Sequence, residues 1–521
     1  MKCYNLINNP ACGPNVINMH SAYYQCDNLT GSPVCGPNVT NMYYAYVKCN
    51  NLTGSPVCGD NVKVMTYAYQ DCIKLTGSPA CKDKVTSFRG TYLNCQRLNS
   101  SPVCGNKVTT MYDTYGNCRS LIGNPICGPN VTDMYNTYSN CWSLTGQPVC
   151  GLNVTNMRMT YINCWGLTGS PICGSNVIDM AYAYYACSNL TGNPVCGNKV
   201  VQMECTYKEC WNLNGEPVCN ENVLYLVETY YNCRNLTGSP VCGTKVKDMT
   251  NTYYYCRNLI GNPVCGNNVV TFNNAYSFCS NLTGSPVIGN NVISAVGVYR
   301  QCHNLTGSPV CTNLITNMYL MYDNCISLTG PLVCGNNVTN MYAAYGGCYM
   351  TSAPVCGPNV TNMAYAYNNC RNLIGSPVCG PNVTSLYGTY RNCYNLHGTS
   401  LFFSPNVTNV TNCFYNRNTL NRLNIYVPEA STTLETCLIA NTKSLFGSTV
   451  TWTEDTINKC WYNTSFNVYI YDGIPTIENL LIDFNYTLHD NGMATLTGWK
   501  ETYQGIPSND MIIPADPRII L

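Results

Sequence analysis

Hydrophobic and polar positions recur along the first 400 residues of the chain with a period of 23 residues. We number each repeat from its first cysteine, so that Cys26 is position 1 of one repeat and Cys49 is position 1 of the next. Leu recurs at position 4, Val at position 14, Met at position 17 and Tyr at position 21. One step, from Cys348 to Cys370, is 22 residues long. Repeats that stay in register, and are too short to form a core alone, predict a solenoid with one shared interior.

The spacing of the apolar positions predicts two elements in each repeat. Positions 14, 17, 21, 24 and 27 are three or four residues apart, which is typical of one face of a helix, here over residues 39–49. The stretch Leu29 to Cys35 is too short for a helix and predicts an extended rung that pairs at Val34–Cys35. Since Pro lacks an N–H group, Pro33 fits only at the start of that strand. The predicted fold class is an α/β solenoid of about 17 turns, with one short strand and one short helix per turn.

The predicted core columns of this solenoid are represented in one repeat by Cys26, Leu29, Val39, Met42, Tyr46 and Cys49.

The unit resembles the BspA-like leucine-rich repeats, which carry the signature NVTNMxxMFxxCxxL. The matching residues are Asn38-Val39-Thr40-Asn41-Met42, Tyr46, Cys49 and Leu52, and Asn359-Val360-Thr361-Asn362-Met363 matches again. The chain has Tyr where the family usually has Phe, and Ser-Pro where the family prefers an aliphatic residue. The resemblance covers about residues 1–400 and implies a right-handed, leucine-rich-repeat-like coil. It also implies a surface-exposed adhesion or binding protein of bacteria, phages or protozoa.

The chain is predicted to contain three regions. Residues 1–400 form the solenoid, residues 401–461 form a degenerate capping turn and connector, and residues 462–521 form a small β-rich module. Alternating apolar and polar residues predict strands in the module at Phe466–Tyr471, Leu480–Leu488 and Met493–Trp499. Met1-Lys2 runs directly into the first repeat, so we expect no signal peptide and an uncapped first turn. That turn or the C-terminal module is a possible contact to a homo-oligomer or a larger particle.

The low charge of the chain excludes some partners. Charged residues make up 10% of the sequence, and the formal net charge is +1, so there is no basic excess for binding nucleic acid. No apolar run approaches the roughly 20 residues of a membrane span, so we expect no membrane insertion. The localisation stays open, with display on a virion or a cell surface as the hypothesis.

The cysteines follow the repeat. Of 38 cysteines, 18 occupy position 1 and 16 occupy position 10. We expect the first column to be a ladder of buried thiols, because neighbouring coils about 4.8 Å apart with parallel side chains do not suit a disulfide. For the second column, burial is favoured, but strand alternation would point Cys35 outward. Without paired CxxC motifs, and with only four histidines, we expect no metal site.

No catalytic set is visible in the sequence, so we expect a protein that is not an enzyme and needs no cofactor. The histidines lack a recurring Ser or Asp partner. The many Asn-x-Thr triplets match the glycosylation acceptor, but a packing role for their Asn side chains is favoured. An enzyme with its site in the C-terminal module is the least favoured hypothesis.

Position 22 varies freely within the chain, which predicts exposure. Tyrosines there are candidate contact residues, because an exposed Tyr joins an apolar body to a polar tip. The candidates are Tyr24, Tyr185, Tyr231 and Tyr254. The alternative is that these tyrosines only cover a repetitive surface.

The function predicted from these features is non-enzymatic binding or adhesion through an extended surface that contacts a protein or glycan ligand, as part of a phage virion or bacterial surface. The alternative is a purely structural virion or envelope protein that acts as a spacer or decoration.

Overall fold

The fold is described from a computed structural model of the whole chain. The structure describes residues 6–7, 9–397, 400–418, 422–428, 445–447 and 450–473, and the backbone of residues 484–488 and 494–499. The beginning of the first predicted turn, Met1 to Cys3, and residues 500–521 of the predicted C-terminal module lie outside the described residues.

The described repeats form a solenoid of coils stacked in parallel, which confirms the predicted repeat architecture. Single-residue parallel bridges join position 16 of most neighbouring coils, as between Asn41 and Val64. Alternate backbone N–H groups then donate to the next coil: Met42 to Val64 at 2.9 Å and Tyr46 to Ala68 at 2.8 Å, with Tyr44 and Lys48 donating in the same way. The backbone of each coil is therefore satisfied mainly by its neighbours, as a shared core requires.

The predicted helix in each coil is wrong. Residues 43–48 form tight turns, with the N–H of Ala45 donating to the carbonyl of Met42 at 3.0 Å and the N–H of Cys49 donating to Tyr46 at 3.1 Å. Each turn is closed by a hydrogen bond from the N–H of residue i+3 to the carbonyl of residue i. A side chain therefore faces the interior every three or four residues, as it does in a helix. The spacing of the apolar residues alone could not separate a helix from a train of turns.

Left-handed backbone at two positions per coil explains why a helix is excluded. Position 19 and position 23 have positive φ in most coils, for example 57° at Tyr44 and 60° at Asn117. These are the third residues of successive turns, where a type II turn requires positive φ. Asn tolerates this conformation well, and it also forms a ladder at position 23: Asn117 Nδ2 donates to Asn94 Oδ1 at 2.7 Å, and Asn94 Nδ2 donates to Asp71 Oδ1 at 2.6 Å.

The predicted strand at Val34–Cys35 is also wrong, because the tyrosine at position 21 takes the place of a pairing strand. The hydroxyl of Tyr46 donates to the carbonyl of Val34 at 2.7 Å and accepts from the N–H of Val34 at 3.1 Å. The same pair of bonds recurs in most coils, for example between Tyr161 and Val149. Val34 therefore needs no partner strand, and the missing N–H of Pro33 beside it does not break a strand-to-strand hydrogen bond.

The interior consists of continuous columns of side chains. The tyrosine rings at position 21 stack along the solenoid, with Tyr46 and Tyr69 having ring centroids 5.3 Å apart and planes within 3°. Stacking continues from Tyr23 to Tyr390 and ends on Phe414, whose centroid lies 5.6 Å from that of Tyr390. All six residues named for the core columns, from Cys26 to Cys49, have no exposed surface.

The two cysteine columns differ. The described part of the first column is buried, and each thiol from Cys49 to Cys393 donates to the carbonyl of a position-21 tyrosine, as Cys72 Sγ does at 3.0 Å to Tyr46, 26 residues earlier in the chain. Most of the second column, including Cys35 and Cys104, is only half-buried, so the burial favoured for it is corrected. Cys58 is an exception, with 8% of its surface exposed. The described cysteines of the second column are free thiols.

The short repeat after Cys348 keeps its core. Met350 takes the place of the usual leucine and is 3% exposed, while the exposed Thr351 occupies the position of the usual threonine. The missing residue is therefore the polar one at position 3, and the apolar column continues.

The C-terminal end of the solenoid is covered by a five-stranded sheet. Strand β1 (Ser400–Phe402) pairs in parallel with β2 (Leu423–Val427), and β2 pairs in parallel with β5 (Val468–Asp472). Strand β4 (Cys460–Asn463) lies antiparallel between β5 and β3 (Thr453–Asp455). Two further strands, β6 (Phe484–Leu488) and β7 (Ala494–Trp499), form a separate antiparallel pair.

The last coil supports the role of the tyrosine hydroxyl. The ladder residue of that coil is Phe414, and the equivalent rung residue, Phe402 in β1, pairs with Tyr426 of β2. Where the rung has a true strand as its partner, the hydroxyl is dispensable.

We predict that Tyr161→Phe destabilises the solenoid by about 1–3 kcal/mol, because the N–H and carbonyl groups of Val149 lose their partner while the ring remains. Urea denaturation measures the free energy of unfolding. The matched control is Tyr319→Phe, since the ring of Tyr319 stacks on Tyr342 but its residue is 38% exposed. Equal stability of the two variants would contradict the role of the hydroxyl.

We also predict that the protein loses stability above pH 9. Burial raises the pKa of the Cys104 thiol from 9.0 to about 11, and burial raises the pKa of Tyr115 well above its ordinary value of 10.0. Between pH 9 and about 11 the unfolded chain therefore binds fewer protons than the folded chain, so stability falls as pH rises, and it is unaffected by these groups below pH 9. Urea midpoints that stay constant up to pH 11 would argue against the buried columns.

Candidate functional site

The candidate contact residues lie on a surface formed by positions 18, 19 and 22 of successive coils. Tyr185, Tyr231 and Tyr254 all occupy position 22, and Lys208 occupies the same position in the coil between Tyr185 and Tyr231. We call these four residues the central patch. The three tyrosines are half-buried, so each presents part of its ring to solvent.

Lysine and tyrosine side chains make the central patch continuous. Lys208 Nζ lies 4.7 Å from the ring centroid of Tyr231 and 5.8 Å from that of Tyr185. The rings of Tyr231 and Tyr254 stack with centroids 4.9 Å apart and planes within 8°. A cation held over aromatic faces is attracted by the ring quadrupole, so these contacts order the side chains of the patch.

An ion pair holds the lysine in place. Lys208 Nζ lies 2.7 Å from Glu228 Oε2, and the two side chains are 20% and 25% exposed. Burial alone would raise the pKa of Glu228, but the bond and charge of Lys208 outweigh it and lower that pKa. Cys205, a cysteine outside both columns, donates its thiol to the same carboxylate oxygen at 3.4 Å. The patch therefore has a rigid, largely neutralised base.

The aromatic surface continues beyond the central patch. Tyr254 meets Phe278 edge to face, with centroids 5.4 Å apart, and Phe278 stacks on Tyr255 at 4.3 Å. The guanidinium of Arg300 lies 5.2 Å from the ring centroid of Phe278, and its Nε lies 3.4 Å from Asp323 Oδ2. Alternation of aromatic rings with paired charges thus extends over several coils.

A second aromatic surface lies nearer the N-terminus, and sequence reasoning missed it. We call Tyr44, Tyr67, Arg89, Tyr112 and Tyr135 the N-terminal strip. Tyr44 and Tyr67 stack with centroids 5.4 Å apart, and Tyr112 and Tyr135 stack at 4.5 Å. Arg89 connects the pairs: its Nε donates to the Tyr67 hydroxyl at 3.0 Å, and its guanidinium carbon lies 4.2 Å from the ring centroid of Tyr112.

The fourth predicted contact residue, Tyr24, belongs to this second surface. Its ring meets Tyr44 edge to face, with centroids 6.2 Å apart. The structure therefore joins three of the four predicted residues in one patch and places the fourth at the end of another. Positions 18 and 19 vary as widely as position 22 and were the signal that could have revealed the N-terminal strip.

Two of the described histidines contact neighbouring side chains. His20 meets the ring of Tyr43 with centroids 5.1 Å apart, and His303 Nε2 lies 3.0 Å from Gln301 Oε1. Within the described ranges, no group of three or more His, Cys, Asp or Glu side chains could hold a metal ion. In the same part of the chain, no helix is long and apolar enough to cross a membrane.

The Asn-x-Thr triplets serve in packing, as favoured from the sequence. Asn38 Nδ2 donates to the carbonyl of Pro14 at 2.8 Å, and Asn51 Nδ2 donates to that of Asp27 at 2.7 Å. Many asparagines at positions 13 and 3 hold the preceding coil in this way, so their amide nitrogens are already engaged.

Comparisons with known proteins add little. No protein-family model matches the chain, and no curated protein matches it. The solved structure of a leucine-rich repeat protein from Bacteroides ovatus is similar, with 11% sequence identity and a TM-score of 0.37 over 81% of this chain and 87% of that one. A similarity of this size carries no argument about function, and the resemblance to the BspA-like repeats stays a prediction.

Proposed function

We propose that this chain is a non-enzymatic binding protein that presents an extended, repetitive surface to a protein or glycan ligand, and that it acts in adhesion on a cell surface or virion. The observation that carries the proposal is a difference in variability between the core positions and the surface positions of each coil. Positions that form the core are nearly the same throughout, whereas positions 18, 19 and 22 vary and carry ordered clusters of rings and cations.

The central patch has the composition of a protein contact site. Residues that dominate binding energy at protein interfaces are enriched in Tyr and Arg and lie where water is excluded. Tyr231 and Tyr254 are stacked and half-buried, and Lys208 is already paired with Glu228, so little side-chain freedom is lost on binding. We therefore propose that the central patch is the principal contact site for a protein partner.

Repetition gives the proposed mechanism its affinity. Weak contacts spaced along one stiff body add to each other when the ligand surface is itself repetitive, because later contacts form at a high effective concentration. The stacked coils provide this stiffness, since each is hydrogen-bonded to both neighbours.

The test is binding of the labelled full-length protein to panels of intact bacterial and eukaryotic cells, measured by flow cytometry. We expect saturable binding to at least one cell type and a loss of about tenfold or more in affinity for Tyr231→Ala, as removal of a central aromatic contact predicts. Tyr349→Ala is the matched control, because Tyr349 is 44% exposed and lies outside both aromatic surfaces.

Two results would contradict the proposal. Absence of binding to any cell, together with stoichiometric incorporation into a particle, would favour the structural alternative of a spacer or decoration. Equal affinity of the Tyr231→Ala and Tyr349→Ala variants would remove the central patch from the contact surface.

A further inference from the structure

The tryptophans at position 2 form a ridge that is interrupted at one coil. Trp142 and Trp165 stack with ring centroids 5.1 Å apart and planes within 9°. Trp211 lies two coils beyond Trp165, and the coil between them has the small side chain of Ser188 at this position. Since neighbouring coils are about 5 Å apart, the two rings are separated by about 10 Å. The ridge therefore contains a slot, one side chain wide, between Trp165 and Trp211.

Each wall of the slot is covered on its far side. Trp142, in the preceding coil, stacks on Trp165, and the guanidinium carbon of Arg234, in the following coil, lies 5.4 Å from the ring centroid of Trp211. Trp165 and Trp211 are nevertheless 46% and 45% exposed. Because a neighbour already covers one face of each ring, the open faces are the two that are directed toward Ser188. The slot is thus bounded by two indole faces.

A carboxylate lies at the edge of one wall. Glu209, two residues before Trp211, accepts a hydrogen bond at Oε2 from Trp211 Nε1. The same oxygen accepts from Asn232 Nδ2 at 2.7 Å, which fixes the carboxylate beside the indole. The positive charge of Arg234 lies across the ring, on the side away from the slot. A ligand in the slot is therefore closer to a negative charge than to a positive one.

The asparagine ladder at position 23 is broken at the slot. Asn163 Nδ2 donates to Asn140 Oδ1 at 2.8 Å, and in an unbroken ladder Asn163 Oδ1 would accept from the next coil. The next coil has Ala186 at that position, which has no amide to donate. Because Ala186 and Ser188 are both small, they leave the base of the slot open, and the side-chain oxygen of Asn163 is directed toward it.

We propose that this slot binds a small quaternary ammonium alcohol, of which choline is the simplest. Its trimethylammonium group lies between the rings of Trp165 and Trp211, and its hydroxyl group donates to Asn163 Oδ1. A quaternary nitrogen midway between the walls is about 5 Å from each ring, within the distance of about 6 Å at which an indole face attracts a cation.

The width and charge of the slot favour this class of ligand over others. A flat aromatic ring is too thin to contact both walls at once, whereas a tetrahedral trimethylammonium group contacts both. A neutral group of the same shape gains nothing from the carboxylate of Glu209 or from the quadrupoles of the two indoles. The slot lies outside the central patch, so this ligand is in addition to the protein or glycan partner of the proposed function.

The experiment measures binding of three small molecules to the full chain by isothermal titration calorimetry. Choline has both the charge and the hydroxyl group, tetramethylammonium has only the charge, and 3,3-dimethylbutan-1-ol is the neutral molecule with the shape of choline. We expect choline to bind at one site and tetramethylammonium to bind more weakly. The neutral alcohol should bind about tenfold or more weakly than choline, as loss of cation–π attraction to two rings predicts.

Variants of the slot test its parts separately. Trp165→Ala and Trp211→Ala should each weaken choline binding about tenfold, since each removes one wall. Ser188→Trp fills the slot, and we expect it to abolish binding. The fold tolerates this change, because Trp already occupies the same position in the coils before and after it. Glu209→Gln keeps an acceptor for Trp211 and loses only the charge, so affinity should fall severalfold.

Tyr349→Ala is the matched control, because Tyr349 is an exposed aromatic residue at position 2 of another coil. It should bind choline as tightly as the unaltered protein does. If Trp165→Ala or Trp211→Ala lowers the melting temperature more than Tyr349→Ala does, Ser188→Trp decides, because it leaves both walls in place.

Three results would overturn the proposal: choline does not bind, 3,3-dimethylbutan-1-ol binds as tightly as choline, or Ser188→Trp binds choline as tightly as the unaltered protein. Binding to cells through Tyr231 does not depend on this slot. Failure of the choline experiment would therefore leave the proposed function standing, and the two failures are distinguishable.

Discussion

The hydrogen bonds between the tyrosine hydroxyl and the rung of its own coil are the constraint on which the rest of the structure depends. Each coil is too small to form a core, and its rung begins with a proline that cannot join a ladder. The hydroxyl of Tyr46 satisfies both backbone groups of Val34 from inside, while its ring stacks on the next tyrosine. One residue type thus closes the coil and connects it to its neighbours.

Closure from the inside leaves the outer positions free to vary. The backbone N–H and carbonyl groups of the rung and the turns are hydrogen-bonded to Tyr, to Asn and to neighbouring coils. The side chains at positions 18, 19 and 22 are therefore constrained only by the conformation of the turn. Two ordered surfaces occupy these positions, one around Lys208 and Tyr231 and one around Tyr67 and Arg89. In each of them a cation lies against aromatic rings and fixes their orientation, so each presents an ordered aromatic surface.

The 23-residue period was enough to predict the solenoid and the columns through Leu29, Val39 and Tyr46, because identical spacing requires equivalent environments. It was not enough for the backbone, since turns and a helix share the spacing of three and four residues. The Asn at position 23 and the Gly at position 19 favour positive φ, and they were the residues that indicated turns instead of a helix. The contact surfaces were predictable only in part, because the direction of Lys208 toward Tyr231 depends on packing across coils.

Residue-resolved hydrogen exchange of the native protein is the most direct test of the central claim. If the tyrosine hydroxyls bind the rungs, the amides of Val57, Val103 and Val149 are protected as strongly as the amide of Tyr69, which bonds to the next coil. Exchange of the three valine amides at the rate of exposed turns, with Tyr69 still protected, would show that the coils stack without the closure described here.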